Sequence, residues 1–438
     1  MNDLTTWLSY LETLHPTTID LGLERVNAVA KRLKILPFSI PSVIVTGTNG
    51  KGSCVMLLEA ILAAAGYHVG AYLSPHLLRY NERVRINQQE VADDLLIQAF
   101  AEIEAVRDGT SLTYFEFGTL AALLIFKKFA LDFVVLEVGL GGRLDAVNIV
   151  DAEIAVISSI GLDHTDWLGA NRESIALEKA GIMRAKKPAV CGDVQPPDNL
   201  LDYAGKIGAP LFLQGRDYCY KQEKKVEFSC GELAITGSDA SSSEKNKVWH
   251  WSNTQTELLD LPMPKIALAN AATVLQVVDL LQMDFPMPLA AIKQGLHSVF
   301  LPGRQQELIK DQRRIVLDVA HNPQAATWLS ERLAQNPCSG RTIAVFGMLN
   351  DKDIIATIQC MLKQIDVWFV ATIPGVRGTE AKTLNTALDS LGISAVKEFA
   401  SVELAFTSAI AESQPNDQIV VFGSFSTVAP IMNMGITV

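Results

Sequence analysis

The stretch Val43–Ser53, reading VIVTGTNGKGS, constrains the fold of this chain more than any other. A β-branched run breaks into glycines, a lysine and a hydroxyl immediately before an apolar helical pattern. Gly47, Gly50 and Gly52 let the backbone turn tightly and bring its N–H groups onto an anion. Lys51 adds a point charge, and Ser53 places a hydroxyl suited to Mg²⁺ at a helix N-terminus. The spacing departs from G-x-x-x-x-G-K-[ST]: it is shorter, and Gly52 separates the lysine from Ser53. A glycine-rich strand–helix turn without a ligand is the competing reading of these residues alone.

The periodicity around this loop predicts an α/β protein. Leu4, Trp7, Leu8 and Leu11, then Val26, Val29, Ala30 and Leu33, have helical spacing on either side of a loop. After the loop come a predicted helix over 54–65 closed by Gly66, a strand over 69–73, helices over 92–107 and 117–129, and strands over 133–138 and 154–160. The strands are apolar throughout, which suits a parallel sheet covered on both faces. Between about 205 and 260, alternating stretches at 226–229 and 233–236 predict antiparallel hairpins, and 237–246 (GSDASSSEKN) reads as a mobile polar loop. A helix over 266–281 precedes Leu301-Pro-Gly-Arg304. A second series then begins, with strands over 314–319, 342–346, 367–371 and 418–422 and a helix over 325–334. This predicts a Rossmann-like C-terminal domain at 300–438 after an N-terminal P-loop domain at 1–299 that includes the small antiparallel region.

A chain of 438 residues, 49% of them hydrophobic, can bury large cores, and its net charge of −11 argues against nucleic acid or an anionic membrane surface as partner. The six cysteines, at 54, 191, 219, 230, 338 and 360, form no C-x-x-C pair and suggest reduced thiols. No apolar run approaches the ~20 residues of a membrane helix, and no leader pattern opens the sequence, so a cytoplasmic location is expected.

Polar residues recur where strands of the predicted sheet end. The run 133–138 delivers Glu137 into Glu-Val-Gly-Leu-Gly-Gly-Arg-Leu-Asp145, the run 154–160 leads to Asp163-His164, and the run 69–73 leads to Ser74. In open α/β sheets ligands bind at such strand ends, and Glu137 is a candidate for Mg²⁺, which takes carboxylate oxygens alongside substrate phosphates. Asp318-Val-Ala-His321-Asn-Pro has the same position in the second series; an Asn-Pro turn with Asp318 as helix cap is the plainer alternative. Lys179, in a helical stretch over 172–182, reads as a surface lysine.

Taken in order, the motifs resemble the folylpolyglutamate synthase/dihydrofolate synthase family within the ATP-dependent Mur ligase group. They are DLGLERV (20–26), TGTNGKGS (46–53), SPHLLRYNERVRI (74–86), SLTYFEFGTLAAL (111–123), LEVGLGGRLDAVNIVDA (136–152), LDHTDWLG (162–169), ESIALEKAGI (173–182), LPGR (301–304), DVAHNP (318–323) and GMLNDKD (347–353). The resemblance spans nearly the whole chain and is nearest to bifunctional bacterial members. It implies ATP phosphates on Thr48, Asn49, Gly50 and Lys51, with Asn270, Arg304 and Asp318 contacting the nucleotide. It implies two magnesium sites held by Ser74, Glu137 and His164, and a carbamylated Lys179 ordering the metal site. It also implies a pterin site from Asp20, Leu21, Gly22 and Leu23, Thr113, Tyr114, Phe115 and Glu116, and Leu144, Asp145 and Ala146, with Phe115 as a stacking face. His321 matches a histidine important for activity on the glutamate side. The implied enzyme is a monomer that binds ATP, 7,8-dihydropteroate, reduced folates and L-glutamate, in a site between its domains.

Two positions depart from the family pattern: Ser426 and Asn350 stand where histidine is common. A monofunctional folylpolyglutamate synthase is the nearest alternative, and the pterin segments favour the bifunctional reading. A cell-wall Mur ligase fits DLGLERV and LTYFEFGT less well. A nucleotide switch without ligase activity would have no use for the second set of polar strand ends.

Overall fold

The computed structural model describes residues 1, 3–224 and 247–435. The expected strands at 226–229 and 233–236, the polar loop 237–246 and Cys230 lie outside the described residues. The chain divides into two compact units. One comprises Met1–Pro75, Asn81–Ile160 and Arg172–Phe300; the other comprises His76–Tyr80, Gly161–Asn171 and Leu301–Val438.

The first unit is built on an eight-stranded sheet. Its strands are β1 (Ser42–Thr46), β2 (Val69–Tyr72), β3 (Val84–Ile86), β4 (Gln89–Glu90), β5 (Phe133–Glu137), β6 (Ile154–Ile157), β7 (Ala189–Cys191) and β8 (Leu211–Leu213), in the order β4-β3-β2-β5-β1-β6-β7-β8. The run from β2 to β8 is parallel, and β3 and β4 add an antiparallel edge. Every residue of β1 and β5 is buried, as continuous apolar strands require when helices cover both faces. One covering helix, Lys51–Ala64, meets the helix Leu289–Ser298 at Gly295, where a Cβ would lie 2.5 Å from Ile61 Cγ1. Only glycine permits that approach.

Two helices begin three residues before their apolar periodicity. The helix expected from 54 starts at Lys51 because the glycine loop itself forms the first turn, with Cys54 N–H donating to the Gly50 carbonyl. The helix expected from 117 starts at Tyr114 because Thr113 and Glu116 form a capping box: Thr113 Oγ1 accepts from Glu116 N–H, and Glu116 Oε2 accepts from Thr113 N–H. Strands β7 and β8, three residues each, are too short to show a period. A separate antiparallel sheet of β9 (Tyr218–Lys224), β10 (Lys247–Asn253) and β11 (Glu257–Pro262) is pinned by Trp251, whose indole N–H donates to Ala272 O in the helix Leu268–Leu281 at 3.0 Å.

The second unit holds a six-stranded sheet of β12 (Gln306–Lys310), β13 (Arg313–Leu317), β14 (Thr342–Phe346), β15 (Val367–Ala371), β16 (Val396–Phe399) and β17 (Gln418–Phe422). Its order is β12-β13-β17-β14-β15-β16. All neighbours are parallel except β12 with β13. Apolar clusters on both faces, around Ile315, Phe369 and Val421 and around Phe346, Trp368 and Leu384, give the layered packing of a Rossmann-like domain. Among the described residues no helix is long and apolar enough to cross a membrane.

Candidate active site

Because β2, β5, β1 and β6 are consecutive and parallel, their C-terminal ends stand side by side in the first unit. The loop after β1 is shaped by backbone contacts. Gly47, at φ +152°, faces Ser158 so closely that a Cβ would lie 1.9 Å from its Oγ. Thr48 N–H donates to Ser159 O at 2.9 Å, Asn49 N–H donates to Ser159 Oγ at 3.0 Å, and Ser158 Oγ donates to Asn49 O at 2.7 Å. Gly50, at φ +89°, lies against Asn270, whose Oδ1 would be 2.4 Å from an added Cβ. Lys51 Nζ donates to the carbonyls of Gly47 and Thr48 at 2.9 and 3.3 Å. Gly52 and the buried Ser53 complete the first helical turn. Cys54 is no candidate nucleophile: burial and then the Glu137 charge push its thiol far up from the ordinary range.

At the neighbouring strand ends, Ser74 N–H donates to Glu137 Oε2 at 2.9 Å, and Glu137 is buried. These two residues offer a hydroxyl and a carboxylate, hard oxygen donors of the kind Mg²⁺ prefers. No group of three His, Cys, Asp or Glu able to hold a metal occurs among the described residues. Such a set therefore fits a magnesium ion that takes its other ligands from phosphates and water, and not a protein-caged metal. Lys179 corrects the sequence reading. It is 2% exposed, on the same helical face as Ile175, Ala176 and Ala180. A short helix with a narrow apolar stripe hides which of its charged residues turns inward.

The three segments expected to receive a pterin approach one another in the same unit. Phe115 lies flat on the turn after β5, so that a Cβ on Gly139 would sit 2.6 Å from Phe115 Cζ; its ring is 6.0 Å from that of Tyr72. Asp145, between Leu144 and Ala146, accepts from Leu140 N–H at 2.8 Å and from Val147 N–H at 3.0 Å. Burial pushes its carboxyl up to about 7, with the backbone donors and Lys51 pulling the other way. The Arg83 guanidinium sits 5.6 Å from the centre of the Tyr114 ring. Arg25 joins two segments, with Nη1 2.6 Å from Asp20 Oδ2 and Nη2 3.2 Å from Glu116 Oε1. His15 lies 3.1 Å from Asp20 and 2.7 Å from Ser111 Oγ. Leu21 and Gly22 continue the loop, and Leu23 stands at the N-cap of the helix Glu24–Arg32. Sequence reasoning gave neither His15 nor Arg25 a role in the site. An arginine at the second position of a helix carries no signal of the two carboxylates that it bridges.

In the second unit, Arg304 lies with its guanidinium carbon 4.7 Å from the centre of the Phe425 ring. The buried Asp318 accepts from Gln305 N–H at 2.9 Å and Ala320 N–H at 2.8 Å; burial raises its carboxyl, and Arg304 opposes that rise. Asp318 does not cap the following helix. Asn322 does, accepting from Ala325 N–H ahead of Pro323–Gln335. Asn350 turns to the Val376 and Arg377 carbonyls, and Ser426 is exposed on the helix Phe425–Asn433. His164, at φ +51°, opens the turn Thr165–Leu168. Beside it Asp163 meets Lys352 at 2.5 Å and His321 at 3.5 Å. Burial opposes its ionisation, but the contact with His321 and the Lys352 charge outweigh that and hold the carboxyl well below the usual range. Both Asp163 and Lys352 lie inside motifs quoted above, yet sequence reasoning gave neither a role.

Two family models match the chain: the Mur ligase middle domain over 45–194 and the Mur ligase glutamate ligase domain over 303–425. The chain is 46% identical to the dihydrofolate synthase/folylpolyglutamate synthase of Escherichia coli over 98% of its own length and 95% of that protein. The structure of E. coli FolC in complex with DHPP and ADP superposes with a TM-score of 0.89 at 45% identity, covering 99% of this chain and 97% of that one. A bifunctional folylpolyglutamate synthase/dihydrofolate synthase with Mn, AMPPNP and L-glutamate bound gives a TM-score of 0.88 at 45% identity over 99% and 98% of the two chains. With two Mur ligase domains matched and a relative 46% identical over 98% of the chain, this chain belongs to the dihydrofolate synthase/folylpolyglutamate synthase family of Mur-type ligases.

Proposed function

We propose that this protein is an ATP-dependent ligase that joins L-glutamate in amide linkage to 7,8-dihydropteroate and to reduced folates. The observation that carries the reading is the juxtaposition, on consecutive parallel strands, of the Lys51 loop, Ser74 and Glu137 in a chain alike over 98% of its length to a bifunctional relative. A carboxylate is a poor electrophile. Its oxygen attacks the γ-phosphorus of ATP, ADP leaves, and the resulting acyl phosphate is open to the glutamate amine. The new C–N bond gives a tetrahedral intermediate; the amine gives up a proton and phosphate departs with the C–O electron pair.

In this reading residues 1–299 bind ATP and the pterin, and residues 300–438 bind glutamate. Thr48, Asn49, Gly50 and Lys51 cradle the phosphates, with Gly47, Gly52 and Ser53 shaping the loop and Asn270, Arg304 and Asp318 contacting the nucleotide. Positioned charge of this kind contributes most of the acceleration in phosphoryl transfer. Ser74, Glu137 and His164 would hold Mg²⁺, which when bound offsets the charge on the transferring phosphoryl group. Phe115 offers the pterin a stacking face and Asp145 a hydrogen-bonding edge, while His321 acts on the glutamate side. Loss of a proton from the Lys179 ammonium, attack of the free amine on CO₂ and loss of a second proton would turn a buried cation into a carbamate anion able to order the metal site; labelled bicarbonate appearing as a carbamate signal in NMR, absent from Lys179→Ala, tests it. The enzyme would act as a cytoplasmic monomer on small molecules alone.

ADP release with dihydropteroate plus glutamate, and separately with tetrahydrofolate plus glutamate, tests the function. Turnover in both is expected. Turnover only with tetrahydrofolate would leave a monofunctional folylpolyglutamate synthase, and none with either would overturn the ligase reading.

A further inference from the structure

We propose that Asp163, paired with Lys352, is a positioning residue for the ligase reaction: one buried carboxylate fixes His321 and the backbone of His164 at the same point. This rests on the roles given above to the two histidines. All the groups concerned lie within the second unit.

Each oxygen of Asp163 serves two groups. Oδ1 accepts from Lys352 Nζ at 2.5 Å and from His164 N–H at 2.9 Å. Oδ2 accepts from Asn322 Nδ2 at 3.1 Å and faces His321 Nε2 at 3.5 Å. The Asp163 and Lys352 side chains are 8% and 6% exposed, so water neither screens the pair nor replaces a lost partner. Lys352 Nζ also lies 3.4 Å from His164 Nε2. Three sequence segments, 162–164, 321–323 and 350–353, are thereby tied to one carboxylate.

The arrangement has a directional consequence. His321 is held through Nδ1, 2.8 Å from Val319 O. In the imidazolium form Nδ1 donates to that carbonyl and Nε2 turns its N–H to Asp163, which then fixes the other end of the ring. His164 takes a left-handed backbone conformation that costs a non-glycine residue energy, and the bond from its N–H to Asp163 holds it there. Removing the negative charge leaves Lys352 buried beside His164 without this counter-ion, so the His321 ring and the His164 backbone lose the contact that places them.

The test combines kinetics with a readout independent of turnover. Asp163→Asn, of the same shape, should lower kcat for dihydropteroate by roughly tenfold to a hundredfold, with KM for dihydropteroate within about twofold. Combined with His321→Ala it should lower kcat by less than the product of the two single losses, because the part of the Asp163 effect that runs through His321 is already gone. Nitrogen NMR should show the His321 side-chain signals displaced in Asp163→Asn. If near-UV circular dichroism shows that this variant does not fold, Lys352→Gln carries the same expectations. Unchanged histidine signals, or losses that multiply in the double variant, would overturn the proposal. A wild-type protein that releases no ADP overturns the ligase reading instead, and the NMR comparison still decides the positioning.

Discussion

The two units present polar groups at the ends of parallel strands in different ways. In the first, the loop after β1 is held by main chain: Thr48, Asn49, Ser158 and Ser159 interlock through carbonyls and N–H groups, and even Lys51 rests on carbonyls of its own loop. In the second, the corresponding region is held by side chains drawn from three segments onto Asp163. Backbone scaffolding demands particular residues, above all glycine, at fixed spacing. Side-chain scaffolding demands only that distant charges arrive together.

Breaking the reactive groups of the first unit should have the largest effect. Lys51→Ala and Glu137→Ala are each expected to lower kcat for amide formation by about a hundredfold to a thousandfold, measured as ADP release; near-normal turnover would refute their roles. Next come the loop glycines. Gly50→Ala forces an alanine to φ +89° against Asn270 and should abolish nucleotide binding in calorimetry, whereas Gly66→Ala, at φ +95° with open space around it, should cost only about 1–2 kcal/mol in denaturant unfolding and leave binding intact. Equal behaviour of the two would mean that backbone strain, and not the Asn270 contact, governs the loop.

The pH dependence of stability gives a finer contrast. Asp145, raised from 3.8 to about 7, keeps its proton in the folded state where the unfolded chain has lost it. Its contribution is full below about pH 4 and fades as pH rises through about 7, a swing on the order of a few kcal/mol. Asp145→Asn should flatten that part of the stability profile; an unchanged slope would show that the carboxyl is already ionised in the fold. The smallest expected effect is at the caps. Thr113→Ala in the first unit loses one capping bond and about 1 kcal/mol, while Asn322→Ala in the second loses its cap and a bond to Asp163. A larger fall in melting temperature for Asn322→Ala sharpens the contrast between the scaffolds, and equal falls blunt it.

That contrast also explains what could be read without coordinates. The central strands were legible because burial on both faces leaves a continuous apolar run, and β14, β15 and β17 fall where that run lies. The glycine loop was legible for the reason just given, and the motif order carried the family. Helix starts at Lys51 and Tyr114 were displaced because loop geometry and a capping box extend a helix beyond its apolar stripe. The burial of Lys179, the bridge made by Arg25 and the Asp163–Lys352 pair left no local trace, since each depends on which distant segment lies opposite.

Lys51 offers a last consequence. Its ammonium already rests on two loop carbonyls, so an incoming ligand competes with partners that the lysine holds. A nucleoside without phosphates brings no anion to complete that exchange, and it would leave the loop as it found it. The resting loop therefore discriminates by charge before any residue reads the base, and a triphosphate is the kind of molecule that can open it.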